Sequence, residues 1–140
     1  MTSEWFLAEV VMKIKVADDP RNVVHQNLTL ICATSPDEAY RKAIKLGEDG
    51  ETSYDNPDGK AVRISFEGLS DLVPLYEELG DGAELMFRYK VGMSEEEIKS
   101  LVLPRDRLPA FLPPKRAEAP DYASGEVVTE VERRFGIKRP

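Results

Sequence analysis

Apolar and polar residues alternate almost without a break from Trp5 to Val16. Phe6, Ala8, Val10, Met12, Ile14 and Val16 fall on one face, and Trp5, Leu7, Glu9, Val11, Lys13 and Lys15 on the other. A period of two belongs to a strand whose faces meet different surroundings, so the segment predicts a long amphipathic strand with the first set turned to the core. Ala17-Asp18-Asp19-Pro20-Arg21-Asn22 supplies turn formers, after which Val24, Gln26, Leu28, Leu30 and Cys32 come into phase. The two runs predict an antiparallel hairpin. On this reading the Val24 to Cys32 set faces inward, and His25 shares the opposite, polar face with Val23, Asn27 and Thr29.

The period changes at Ser35-Pro36-Asp37-Glu38. Ser35 suits a helix N-cap, Pro36 the first helical position and Glu38 the return arm of a capping box. Ala39, Tyr40, Ala43, Ile44 and Leu46 continue at helical spacing, and Gly47 reads as the stop. This helix is expected to cover the apolar face of the hairpin. A second hairpin is expected from Glu51–Asn56 and Lys60–Gly68 around Asn56-Pro57-Asp58-Gly59, with Val62, Ile64 and Phe66 inward. Leu69 to Leu79 reads as a loop and a short helix, and Glu84 to Val91, with Leu85, Phe87, Tyr89 and Val91 in phase, as a further strand. Ser94-Glu95-Glu96-Glu97 is a second capping box, opening a helix that carries Ile98, Leu101 and Val102.

The expected fold class is therefore α+β. An antiparallel sheet of about five strands (ββαββ, then β-α) carries one main helix on one face, within an α+β domain at residues 1–103. Residues 104–140 form a Pro-rich C-terminal extension, with five prolines between Pro104 and Pro120. Prolines cannot feed a regular ladder, which predicts an extended, polyproline-like arm. Beyond it, Val127, Val128, Val131 and Phe135 fit either a short docking helix or a strand.

Charge changes the picture in two ways. A net charge of −7 is unsuited to binding duplex nucleic acid, whose affinity comes from neutralising phosphates. Within the chain, residues 1–102 carry −9 and residues 103–140 carry +2, so the extension is matched to its own or a neighbour's acidic body. Every apolar run is far shorter than a membrane span, and no secretory signal opens the chain, which predicts a cytoplasmic protein without membrane contact. One cysteine and one histidine cannot build a common zinc site, and no Gly-rich phosphate loop occurs. No cofactor and no metal is expected.

The combination of Trp5-Phe6-Leu7-Ala8, the long first strand, His25-Gln26 opening the second and Ser35-Pro36-Asp37-Glu38-Ala39 with Ala43 resembles a bacterial family, domain of unknown function 4288. The resemblance spans residues 4–91. It implies an α+β fold and a bacterial, cytoplasmic origin, and it carries no activity or catalytic residue.

Among single residues, His25 is the first candidate for a general base, because its side chain titrates near neutrality. Its bland reading is a surface or capping residue beside a turn. Cys32, in the expected inward phase, reads as a small core hydrophobe. Asp18-Asp19, Glu48-Asp49-Gly50-Glu51 and Asp55/Asp58 lie at expected loops without the spacing of a calcium loop, and read as solvated acidic surface. The feature that the fold does not absorb is the outer face of the first strand. Trp5, Leu7 and Val11 there await a second subunit, the apolar points of the extension (Phe111, Leu112, Val127, Val131, Phe135) or a second layer of the same domain. The leading expectation is a non-enzymatic binding or assembly module, a homo-oligomer or the partner of another protein. The alternative is a small hydrolase or metal-assisted enzyme built from His25 and loop carboxylates.

Overall fold

The computed structural model describes residues 4–113 and 120–123. They fall into two compact units, one holding residues 4–86 with 120–123 and the other residues 87–113.

In the first unit the long alternating segment forms β1, Glu4–Val16, flanked on both sides by antiparallel partners. One is β2, Val23–Ala33, in unbroken register from Glu4↔Ala33 to Ile14↔Val23. The other is β4, Ala61–Pro74, whose far side carries the short β3, Thr52–Asp55. Among the described residues the sheet has four strands in the order β2-β1-β4-β3. As the alternation predicts, Phe6, Ala8, Val10, Met12, Ile14 and Val16 are all buried on the inner face.

Half of that face is covered by α1, Pro36–Asp49. Ser35 Oγ accepts from Glu38 N–H at 3.1 Å, so the N-cap is as expected. The return arm is not, because the Glu38 carboxylate accepts from Thr34 Oγ1 at 2.7 Å. The helix also runs through Gly47 to cap at Gly50. Its buried stripe is Ala39, Ala43 and Gly47, small residues that let the helix lie close to the sheet. A Cβ on Gly47 would stand 2.3 Å from the Phe66 ring, so glycine is needed there for close approach rather than for termination.

The expected loop and short helix after Gly68 are instead strand. Two bulges in β4, where Glu67 and Ser70 have no counterpart in β1, change the spacing of its inward residues. Val62, Ile64, Phe66, Leu69, Leu72 and Pro74 face Val16, Ile14, Met12, Val10, Ala8 and Phe6 in turn. The steps of three from Phe66 to Leu69 and Leu72 imitate helical periodicity. Gly68, at φ +141°, supplies backbone that other residues rarely adopt.

The expected fifth strand, Glu84–Val91, is not formed among the described residues. Both sides of β1 are taken by β2 and the prolonged β4, and Phe87, Tyr89 and Val91 are largely exposed. In the second unit α2, Glu95–Leu101, starts with the predicted capping box: Ser94 Oγ accepts from Glu97 N–H at 3.2 Å, and Glu97 Oε1 accepts from Ser94 N–H at 3.3 Å. Residues 104–113 are not uniformly extended. Arg105–Arg107 and Pro109–Phe111 each form a single 3-10 turn, and the Arg105 guanidinium lies 4.1 Å over the Phe111 ring.

Candidate functional site

The far half of the inner face, beyond the reach of α1, is closed by the short segment 120–123. Ile14, Val16 and Val62 form its buried floor, with Val23, Tyr54, Ile64 and Tyr122 packed around them. Hydrogen bonds hold this strap at three points. Tyr54 Oη donates to the Tyr122 carbonyl, Asn56 Nδ2 donates to the Asp121 carbonyl at 2.9 Å, and His25 Nε2 lies 2.9 Å from Tyr122 Oη. The His25 and Tyr122 rings also meet edge-on, with centroids 5.2 Å apart. Burial and the neighbouring Tyr122 and Asp121 raise the Tyr54 phenol above its ordinary value.

Asn56 is the key to the anchorage. It is buried at the head of the predicted Asn56-Pro57-Asp58-Gly59 turn, and its Oδ1 accepts from Asp58 N–H at 3.0 Å and Lys60 N–H at 2.9 Å. Gly59, at φ +79°, completes the turn. The amide thus shapes the hairpin with its oxygen and holds the strap with its nitrogen.

These contacts relocate His25. The sequence reading sets it on a polar, solvent-facing surface, yet Val23, His25, Thr29, Ile31 and Ala33 alternate on the covered side while Val24, Gln26, Leu28 and Leu30 are exposed. The phase of β2 is therefore opposite to the expected one, and Cys32 leaves the core row for the outer face, where it is half-buried. The more polar row is the covered one because the strap meets it with a hydrogen-bonding Tyr122. Sequence alternation cannot reveal that.

The loop carboxylates do not gather around His25. Asp19 is engaged by the Arg21 guanidinium at 2.8 Å and by the Arg21 N–H, which lower its carboxyl to about 2. Asp49 pairs with Lys45 at 2.8 Å, and Glu51 accepts from Phe66 N–H at 3.1 Å. Among the described residues, no group of three or more His, Cys, Asp or Glu side chains could hold a metal ion.

The outer face follows its predicted phase in β1. Trp5 is 40% exposed, Val11 is half-buried, and Leu7, set between Leu30 and Val73 on the neighbouring strands, is 3% exposed. Beside them β2 contributes Val24 and Leu28, each 53% exposed, and Leu30 at 41%, which sequence reasoning placed in the core. The charge-free composition of β2 fits a core strand as well as an edge, and the register separates the two. Phe111 and Leu112 are in the second unit and partly exposed, whereas Val127, Val131 and Phe135 lie outside the described residues.

The same β2 residues dominate the sheet edge. The Trp5 carbonyl bonds Leu75 N–H at 2.8 Å, so Trp5 directs its backbone groups away from β2. Its facing residue Cys32 accordingly directs its own outward, and the Lys42 ammonium holds the Cys32 carbonyl there. Because backbone direction alternates along a strand, Val24, Gln26, Leu28 and Leu30 also turn their N–H and C=O groups to the outer edge of the sheet, which no strand among the described residues pairs. β2 spans 11 residues and contains no Asp, Glu, Lys or Arg, in a chain that is 32% charged. It also lacks proline and register shifts, so the usual devices that blunt an edge are missing from the strand. The opposite edge, β3, is four residues long and ends on Asp55.

No helix among the described residues is long and apolar enough to cross a membrane. Neither the curated proteins nor the solved structures contain a match to the chain. A family model described as Domain of unknown function (DUF4288) matches residues 5–87, which run from the start of β1 past the end of β4. That match covers more than half of the chain, and the protein belongs to this family.

Proposed function

We propose that this protein is a non-enzymatic binding and assembly module, which takes a partner's strand onto the edge of β2 and seats it beside the apolar outer face. The observation that carries the reading is the coincidence of two properties in one row of residues. Val24, Gln26, Leu28 and Leu30 turn their backbone groups to the open edge and their side chains to the exposed outer face. An added strand gains ladder hydrogen bonds from the first property and apolar contact from the second. Trp5 and Val11 continue the apolar surface one strand further in, whereas Leu7 between them is buried and offers a partner no surface. The net charge of −7 favours a protein partner over nucleic acid.

Display of a library of extended peptides, 11 residues long like β2, tests the reading. Selection on the immobilised protein is expected to enrich uncharged, alternating sequences whose binding is lost with Leu28→Lys or Leu30→Lys. Enriched peptides indifferent to both substitutions, or no enrichment at all on a protein that scatters as a monomer, would overturn it.

A further inference from the structure

The edge of β2 points to its own occupant: we infer that it receives β2 of a second copy of this chain, antiparallel, about a two-fold axis at Leu28. The inference rests on the edge-binding reading and names the partner. In antiparallel pairing, facing side chains share one face of the sheet, so a strand paired symmetrically with itself must centre on a residue rather than between two. β2 runs from Val23 to Ala33, and its midpoint, Leu28, belongs to the row that bonds outward. Centring there uses the whole strand. Leu28 faces Leu28 of the second copy, Leu30 faces Gln26, and Cys32 faces Val24, all on the outer face. On the inner face Asn27 meets Thr29.

Charge argues for a copy of the same chain. Two molecules of net charge −7 repel wherever their acidic surfaces face, and β2 is a stretch along which self-pairing brings no like charges together. Closure argues the same way. A foreign strand laid on β2 presents its own far edge, whereas two β2 strands consume both long edges at once. The result is a continuous sheet of eight strands ending on the four-residue β3 at each side. The Cys32 carbonyl, already held by Lys42, keeps a second lone pair for an incoming N–H.

Two variants of the full chain test the arrangement. Val24→Cys puts a thiol opposite the native Cys32 of the second copy, at a Cα separation of about 5.5 Å for a bonded antiparallel pair, within disulfide reach. Oxidation with diamide should link the copies into a species of twice the 15.7 kDa chain mass, and adding Cys32→Ser should abolish the link. Leu28→Lys sets two ammonium groups side by side at the axis. Since Leu28 is half exposed the fold tolerates the change, as circular dichroism would verify, and light scattering should show dimer dissociation at least about tenfold weaker in affinity. A wild-type chain that scatters as a 15.7 kDa monomer throughout a dilution series overturns the inference, as does a dimer that ignores Leu28→Lys and resists the Val24→Cys link. A monomer whose β2 edge still takes uncharged peptides removes the second copy and leaves the edge reading standing. One that takes none removes both.

Discussion

His25 and Tyr122 stand 97 positions apart in the chain and share a 2.9 Å hydrogen bond together with an edge-on ring contact. This pairing ties the turn end of the hairpin to the strap. The His25 Nε2 is thereby engaged by a phenol hydroxyl on the covered side of the sheet.

The strap's contribution divides into a polar and an apolar part. Tyr122→Phe removes the hydroxyl and keeps the ring over the Val23, Tyr54 and Ile64 surround, so it should cost about 0.5–1.5 kcal/mol. Tyr122→Ala also uncovers the floor of Ile14, Val16 and Val62 and should cost about 2–4 kcal/mol. Urea denaturation of the two variants checks the order. Equal losses would mean that the ring contributes nothing beyond its hydroxyl.

Gly47 and Gly50 are close in sequence and opposite in tolerance. Gly47→Ala drives a methyl into the Phe66 ring, an overpacking cost of about 1–3 kcal/mol that outweighs roughly 1 kcal/mol of improved helix propensity. Gly50 has φ −80° and its nearest neighbours stand at 3.4 Å from an added Cβ, so Gly50→Ala should shift stability by no more than about 0.5 kcal/mol. Denaturant midpoints decide the matter. A Gly47→Ala protein as stable as the parent would show that Phe66 yields freely.

Stability should fall at both extremes of pH, for separate reasons. Asp19 is lowered to about 2 by Arg21, and Glu67 and Glu38 are lowered chiefly by their hydrogen bonds from Lys13 and Thr34. Groups depressed on folding contribute stability above their unfolded values, and lose it as pH falls through the folded ones. For Asp19 that window runs from 3.8 down to about 2. Tyr54 is raised, so its contribution is complete below 10.0 and lost as pH climbs through its folded value. Thermal melts against pH should show both limbs, with Asp19→Asn flattening the acid one and Tyr54→Phe the alkaline one. Limbs of unchanged slope in these variants would refute the assignment.

What the sequence discloses here depends on how local each cause is. The Ser94 capping box, the Asn56 turn and the inward face of β1 are set by residues within a few positions of one another and form as read, as does the Ser35 cap apart from its Glu38 return arm. The prolonged β4 escapes because two bulges break its period of two, and the phase of β2 escapes because its polar row finds partners in a segment nearly a hundred residues away. The outer-face residues Trp5, Leu7 and Val11 are placed in phase from the alternation alone, but Leu28 and Leu30 join them only once the β2 phase is corrected. Composition held the better clue: eleven residues without a charge suit either a core strand or an edge meant to be covered, and the register distinguishes the two.

The strap also sets the timetable of folding in the cell. β1, β2, α1, β3 and β4 are all encoded before residue 75, but the residue that covers Ile14, Val16 and Val62 is Tyr122. At ordinary synthesis rates the intervening stretch takes on the order of several seconds to make, during which a nascent sheet would carry a bare apolar floor. Contacts spanning 65, 68 and 97 positions close last and at the greatest entropic cost, so that floor stays exposed until residues 120–123 have been made.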